Sequence, residues 1–380
     1  MCEEIPSLAA WRQRLDHSEP PTRSGAGACF SRRADDGSSC NVCLPANTHI
    51  LFAGDSTTRY QYLQLAFALR HGVENEHDGA RSINSERSWP GKKNPSTRWG
   101  VFTNGTSAIL APHELCDCYR STTDARGFQH RYFHFRSVSL TYIELLGKRN
   151  GVRGRWWPSR SIDTCGVPHT MWGRPSAEKT WSDVDWIRGL ASLVALLSPS
   201  ALVINMGHHL YCPTGSSSCK YAAMANVTAS PEGGVREYVS KRPMQTSEWQ
   251  RLRDAVAPRG STSARPAGSG GAGRTHASHS SSSPSDPSAA ATRVLWKTTS
   301  NTSPNAPTRV PPTEASVASQ FLEVFDAHAF TSTLNAAVDY WDHIHLNSRA
   351  NNRLNWRLLT QLLGDAWAET SCGSRSAKAR

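Results

Sequence analysis

The sequence predicts an α/β fold: a three-layer α/β/α sandwich around a mainly parallel sheet. Three observations carry this expectation. Short apolar runs have the length of buried strands rather than helices. Segments with helical period and their own start and stop signals lie between them. Strand and helix alternate along the chain, the order that builds a parallel sheet with crossover helices. The 380 residues, 38% of them hydrophobic, suffice for one large domain.

Taken in order, residues 1–45 are polar, Cys-containing and predicted irregular. Thr48-His-Ile-Leu-Phe-Ala53 is a buried-strand run that ends at Gly54. Thr57 to His71 reads as a helix, with Tyr60, Leu63, Phe67 and Arg70 on one stripe and Gly72 at the C′ position. Residues 73–98 read as loop, and Arg131 to Leu146 as one strand with Val138, Leu140 and Tyr142. Ser182-Asp-Val-Asp caps a helix that runs to about Leu197 and stops at Ser198-Pro199. Ala201-Leu-Val-Ile-Asn205 is the next buried strand. Residues 258–292 are rich in Ser, Gly, Ala and Pro and read as a disordered insertion. Strands follow at Val294–Thr299 and Phe321–Phe325. The last helix spans about Ala350 to Leu363, with Leu354, Leu358, Leu359, Leu362 and Leu363 on its apolar stripe. The domain is therefore predicted over 46–366, followed by a basic tail at 367–380.

The net charge is +11, but the Lys and Arg are scattered. No basic helix face interleaved with aromatics appears, which argues against a nucleic-acid role. No run of 18 apolar residues occurs, so no transmembrane helix is predicted. Of the ten Cys, only Cys40-x-x-Cys43 has zinc-knuckle spacing, and a second pair to complete such a site is missing. Cys212 and Cys219 bracket a short loop that a disulfide would close. Asn104-Gly-Thr, Asn226-Val-Thr and Asn301-Thr-Ser are glycosylation sequons. Together with the even cysteine count they point to the secretory pathway or the exterior, although Met1-Cys-Glu-Glu-Ile-Pro carries no signal features. The chain then reads as a lumenal piece without its anchor, the alternative being a cytosolic protein with free thiols.

In a parallel sheet, ligands sit beyond the carboxyl ends of the strands. Three places qualify: Gly54-Asp-Ser56, Asn205-Met-Gly207 and the segment after Phe325. At Gly54-Asp55-Ser56 a strand turns into a helix, which puts the Ser56 hydroxyl and backbone N–H where amides and the helix dipole favour an oxyanion. The bland role for Ser56 is helix N-cap. Asn205-Met-Gly207-His208-His209 ends another strand, and the Asn205 amide is a candidate oxyanion donor, or a turn former. A metal site at His208, His209 and Cys212 is disfavoured, because adjacent histidines do not easily face one ion. Tyr340-Trp-Asp342-His-Ile-His345 precedes the last helix, and a carboxylate three residues before an imidazole lets one loop supply an orienting acid and a base. His343 is the rival base and Asp339 the rival acid; Asp342 as a helix cap is the bland alternative.

These three blocks, in this order, resemble the SGNH/GDSL-like esterase superfamily, and in it the PC-esterase branch with the trichome-birefringence-like proteins. The resemblance rests on Gly54-Asp-Ser56 followed by Thr57-Thr-Arg-Tyr-Gln61, on Asn205-Met-Gly-His208, and on Asp342-His-Ile-His345 with Asn355-Trp356 in the helix behind. It implies an acyl ester enzyme, an O-acetyl esterase or O-acetyltransferase acting on a glycan, with no cofactor and no metal. Ser56 would be the nucleophile, His345 the base and Asp342 its partner. Asn205, Gly147 and the Ser56 N–H would form the oxyanion hole, and Arg59 and His208 would touch substrate. His343 and Leu346 stand where the branch's longer motif has Cys and Trp, so a plant cell-wall substrate does not carry over. The reading from another class is a glycan-binding protein that stacks sugars on Trp156, Trp157 and Trp172.

Overall fold

The computed structural model describes residues 26–33, 37–75, 102, 105–116, 130–145, 186–206, 211–213, 236–240, 244–256, 292–301, 303, 308–309, 313–341, 344–365 and 367. The predicted insertion except Thr292, together with Cys219, Trp156, Trp157 and Trp172, lies outside these residues, as does all of the predicted tail except Trp367.

The chain enters through a hairpin, β1 (Ala26–Arg33) and β2 (Ser39–Pro45), where an irregular segment was expected. Cys29 and Cys43 face each other across it and form a disulfide, and Cys40 is disulfide-bonded as well. The polar composition that reads as irregular instead reflects a hairpin with one face out: Val42 and Leu44 are buried while their neighbours along β2 are not.

β3 (His49–Gly54) leads into α1 (Ser56–His71). β4 (Glu114–Cys116), β5 (His130–Phe135) and β6 (Val138–Glu144) follow, then α2 (Trp186–Leu197) and β7 (Ala201–Ile204). β8 (Tyr211–Pro213) and β9 (Arg236–Ser240) pair in a small separate sheet with β11 (Thr308–Arg309). α3 (Thr246–Val256) precedes β10 (Arg293–Lys297). The chain continues through α4 (Thr313–Ala318), β12 (Glu323–Phe325), α5 (Ala327–Ser332) and α6 (Ala336–Asp339) to α7 (Ser348–Leu363).

The main sheet has seven strands in the order β12-β10-β7-β3-β6-β5-β4. All pairings from β12 to β6 are parallel, and β5 and β4 add an antiparallel edge. The fold is therefore α/β around a mixed, mostly parallel sheet. The stretch expected as one strand, 131–146, is two strands of this sheet. Arg136 and Ser137 both have positive φ, 46° and 62°, and link Phe135 to Val138 in a two-residue hairpin. Such a turn ordinarily recruits Asn or Gly, so the residues there give no signal in the sequence.

Alternate residues of the central strands feed two cores. Ile50, Phe52, Ala201, Val203 and Leu295 pack with α1 and α7 on one face. Leu51, Ala53, Leu202, Ile204 and Trp296 pack with α2 and α3 on the other. This is the period of a sheet covered on both sides, and it explains why the strands read as continuous apolar runs. The stripe proposed for α1 needs correction: Phe67 and Arg70 are half-exposed, whereas almost all residues from Thr57 to Leu69 are buried. The sheet, α7 and β1 enclose the helix from several sides, so no single stripe describes it.

Candidate active site

The order β6-β3-β7-β10-β12 places the first strand of the sheet inside it. The chain goes from β3 to β6 on one side, then returns to β7 on the other. Between β3 and β7 the strand order reverses, and there the loops beyond the carboxyl ends diverge and leave a crevice. Gly54-Asp55-Ser56 lies at the end of β3 and Asn205 at the end of β7.

The turn is built from close approach. A Cβ on Gly54 would come within 2.5 Å of Thr58 Oγ1, so no larger residue fits. Asp55 is the N-cap of α1. Its Oδ1 accepts from the Thr57 N–H at 3.0 Å, the Thr57 hydroxyl at 2.7 Å and the Thr58 N–H at 3.4 Å. The capping role thus falls to Asp55, not to Ser56. Tyr142 donates to the carbonyls of Gly54 and Asp55 at 3.0 and 3.1 Å and fixes the turn from β6.

Ser56 is half-buried, and its Oγ lies 2.9 Å from His345 Nε2 across 289 residues of sequence. With the proton on Nδ1, the Ser56 hydroxyl donates to the ring. That is the geometry of a nucleophile beside a general base. The imidazole is held by aromatics on two sides. Trp341 stacks on it at 5.2 Å with 15° between the planes, and Tyr60 meets it edge-on at 5.1 Å.

The loop that bears His345 is closed by its own backbone. Tyr340 bridges to Leu346, Trp341 N–H donates to the His345 carbonyl at 3.2 Å, and Asn347 N–H donates to the Asp339 carbonyl at 2.9 Å. α7 begins here, capped by Asn347, whose Oδ1 accepts from the Ala350 N–H. Side-chain amides lock α7 onto α1: Gln64 donates to the Ser348 carbonyl at 3.2 Å, and Asn355 to the Gln61 carbonyl at 2.9 Å. The helix that starts at the hydroxyl and the helix that follows the imidazole are therefore one packed unit.

Asp342, His343, Gly147 and His208 lie outside the described residues. Asp339, the rival acid, accepts from the Asn335 N–H at 2.9 Å and lies 3.7 Å from Arg353, a structural use. Two expectations meet a different placement. Arg59 is 1% exposed, its guanidinium over the rings of Tyr60 and Phe102 at 4.9 and 5.7 Å. Enclosure of α1 buries the position three residues after Ser56, and Arg59 packs inside the protein. Asn205 is 0% exposed, and its Nδ2 donates to the Lys297 carbonyl at 2.9 Å while its Oδ1 accepts from Thr58 Oγ1 at 3.4 Å. One amide hydrogen is thereby used to join β7 to β10, and an oxyanion role would rest on the other.

Sequence reasoning passed over Thr58, Tyr142, Trp341 and Lys297. Only Lys297 leaves a trace in the sequence, as a lysine directly after the apolar run Val294-Leu-Trp296. No cluster of three or more metal-ligating side chains and no helix long and apolar enough to cross a membrane occurs among the described residues. Comparison with models of known families, with curated proteins and with solved structures gives no match.

Proposed function

We propose that the protein is a serine-dependent acyl ester enzyme on a three-layer SGNH-like fold, an O-acetyl esterase or O-acetyltransferase that acts on a glycan through an acyl-Ser56 intermediate. One observation carries the reading: a serine hydroxyl and an imidazole 2.9 Å apart, brought from opposite ends of the chain to the switch point of the sheet.

His345 Nε2 takes the Ser56 proton as Oγ attacks the ester carbonyl, and the tetrahedral oxyanion forms beside the first turn of α1. The amides of Thr57 and Thr58 are committed to Asp55, which leaves the Ser56 N–H for the oxyanion. The second N–H of Asn205 and the amide of Gly147 are the further donors the resemblance implies. His345 then returns the proton to the leaving alkoxide, and an acyl ester remains on Ser56. Water or a sugar hydroxyl, deprotonated by the same ring, takes the acyl group away. Asp342 is assigned to orient His345, and His208 to contact substrate, both from the resemblance. Glycan and acetyl as substrate class come from the same source. A Golgi-lumenal or secreted location agrees with the Cys29–Cys43 disulfide, since such bonds persist in oxidising compartments.

The test is release of the chromophore from an activated acetyl ester by the wild type and by Ser56→Ala. The expected result is a rate in the variant at least ~10³-fold lower. Equal rates overturn the catalytic reading and leave the glycan-binding alternative.

A further inference from the structure

Behind the nucleophile turn lies a side chain that the mechanism above does not use. Lys297 ends β10 and is 0% exposed. Its Nζ donates to Thr58 Oγ1 at 3.2 Å, and Thr58 fills the notch that only glycine at position 54 leaves open. Thr58 Oγ1 in turn donates to Asn205 Oδ1, and Asn205 Nδ2 donates to the Lys297 carbonyl. The three side chains close a ring between the first turn of α1 and the ends of β7 and β10.

We propose that Lys297 is a positioning residue for the nucleophile turn: its ammonium holds Thr58 against Gly54 and offsets the Asp55 carboxylate beneath Ser56. This rests on Ser56 being the nucleophile. The physical need is plain. Asp55 is the right cap for α1, but a buried carboxylate beside the turn opposes a negative charge developing on the bound carbonyl. A cation beneath the same turn removes that opposition without contact with substrate.

Among the described residues, the charged groups around Lys297 are Asp55 from the turn and Glu314 from α4, whose carboxylate also accepts from Trp296 Nε1 and the Thr299 N–H. Asp326, on the neighbouring strand's end, is engaged by the Thr298 hydroxyl, and α1 and β7 contribute the neutral Thr58 and Asn205. Burial pulls the ammonium down to about 8, and the two carboxylates resist the shift. The protonated form is the working form, so it predominates at neutral pH and is lost as pH rises through about 8.

The experiment compares wild type, Lys297→Met and Thr58→Val, with the Ser56→Ala rate subtracted at each pH. The wild type should lose kcat on the alkaline side with a midpoint near 8. Lys297→Met should lower kcat about 10–100-fold with KM little changed, and should lack that alkaline limb. Thr58→Val keeps the shape and removes the hydroxyl, and should lower kcat about 10-fold. Wild-type kcat and an unchanged alkaline limb in Lys297→Met overturn the proposal. If that variant does not fold, a wild type without the limb, or Thr58→Val with full kcat, overturns it instead. Equal rates in wild type and Ser56→Ala mark failure of the esterase reading itself. In that case hydrogen exchange of residues 56–60 at one fixed pH decides the positioning role: faster exchange in Lys297→Met (Thr58→Val if the former does not fold) upholds it, and an unchanged rate removes it.

Discussion

His345→Ala is expected to lower kcat for an activated acetyl ester by roughly 10⁴-fold, and combining it with Ser56→Ala to cost almost nothing more. The reason is geometric. Ser56 Oγ and His345 Nε2 share one hydrogen bond of 2.9 Å, so in the proposed mechanism the two residues act as a single proton-transfer unit. Remove the ring, and the hydroxyl remains at the helix terminus with its proton in place. Remove the hydroxyl, and the ring has no proton to take. Independent contributions would multiply, whereas a unit loses everything at the first deletion. The residual rate then comes from the backbone donors around the turn. Rates of the two single variants and the double variant settle the matter, and a double variant slower by the product of the single losses contradicts the shared role. The comparison also separates His345 from Trp341 and Tyr60, which touch the ring but carry no proton in the mechanism.

Glu114→Ala is expected to destabilise the fold by about 3–5 kcal/mol. Glu114 and Arg131 pair at 3.2 Å with both side chains 0% exposed, where the antiparallel edge strands meet α1. Arg131 also donates to the Thr106 hydroxyl at 2.6 Å, and Tyr62 of α1 donates to Glu114 at 2.9 Å. Truncating the acid removes the Glu114 charge from beside a buried guanidinium and takes one acceptor from the Tyr62 hydroxyl. Replacing both partners, Glu114→Leu with Arg131→Met, should cost far less, because the desolvation penalty goes with the charges. Urea titration of the three variants checks this. A Glu114→Ala midpoint equal to that of the wild type would show that the pair is solvated.

The parts of this architecture that were legible are those where local chemistry and tertiary burial agree. β3 is a pure apolar run, Gly72 takes the left-handed conformation at φ 70° after α1, and Leu354, Leu358 and Leu359 of α7 are buried as their spacing indicates. Ser56 was legible because it follows the carboxyl end of a buried strand, and His345 because the Asp-x-x-His block precedes the last helix. What stayed hidden depends on long-range contact. The hairpin at Arg136-Ser137 has no turn residues. In α3, Trp249, Leu252 and Val256 carry the helical period within an otherwise polar stretch. Arg59 is expected at the substrate from the resemblance, and the enclosure of α1 buries it. Lys297 reveals its place only when β10 is set beside β7 and the first turn of α1 lies over both.

The claim at the centre is that His345 activates the Ser56 hydroxyl. An alkyl fluorophosphonate tests it directly, because only an activated serine displaces the fluoride and keeps the phosphonyl group. Peptide mass spectrometry after brief labelling should find the adduct on Ser56 in the wild type and lose it in His345→Ala. An unlabelled Ser56 in wild-type protein that still hydrolyses the ester, or equal labelling with and without His345, contradicts the account.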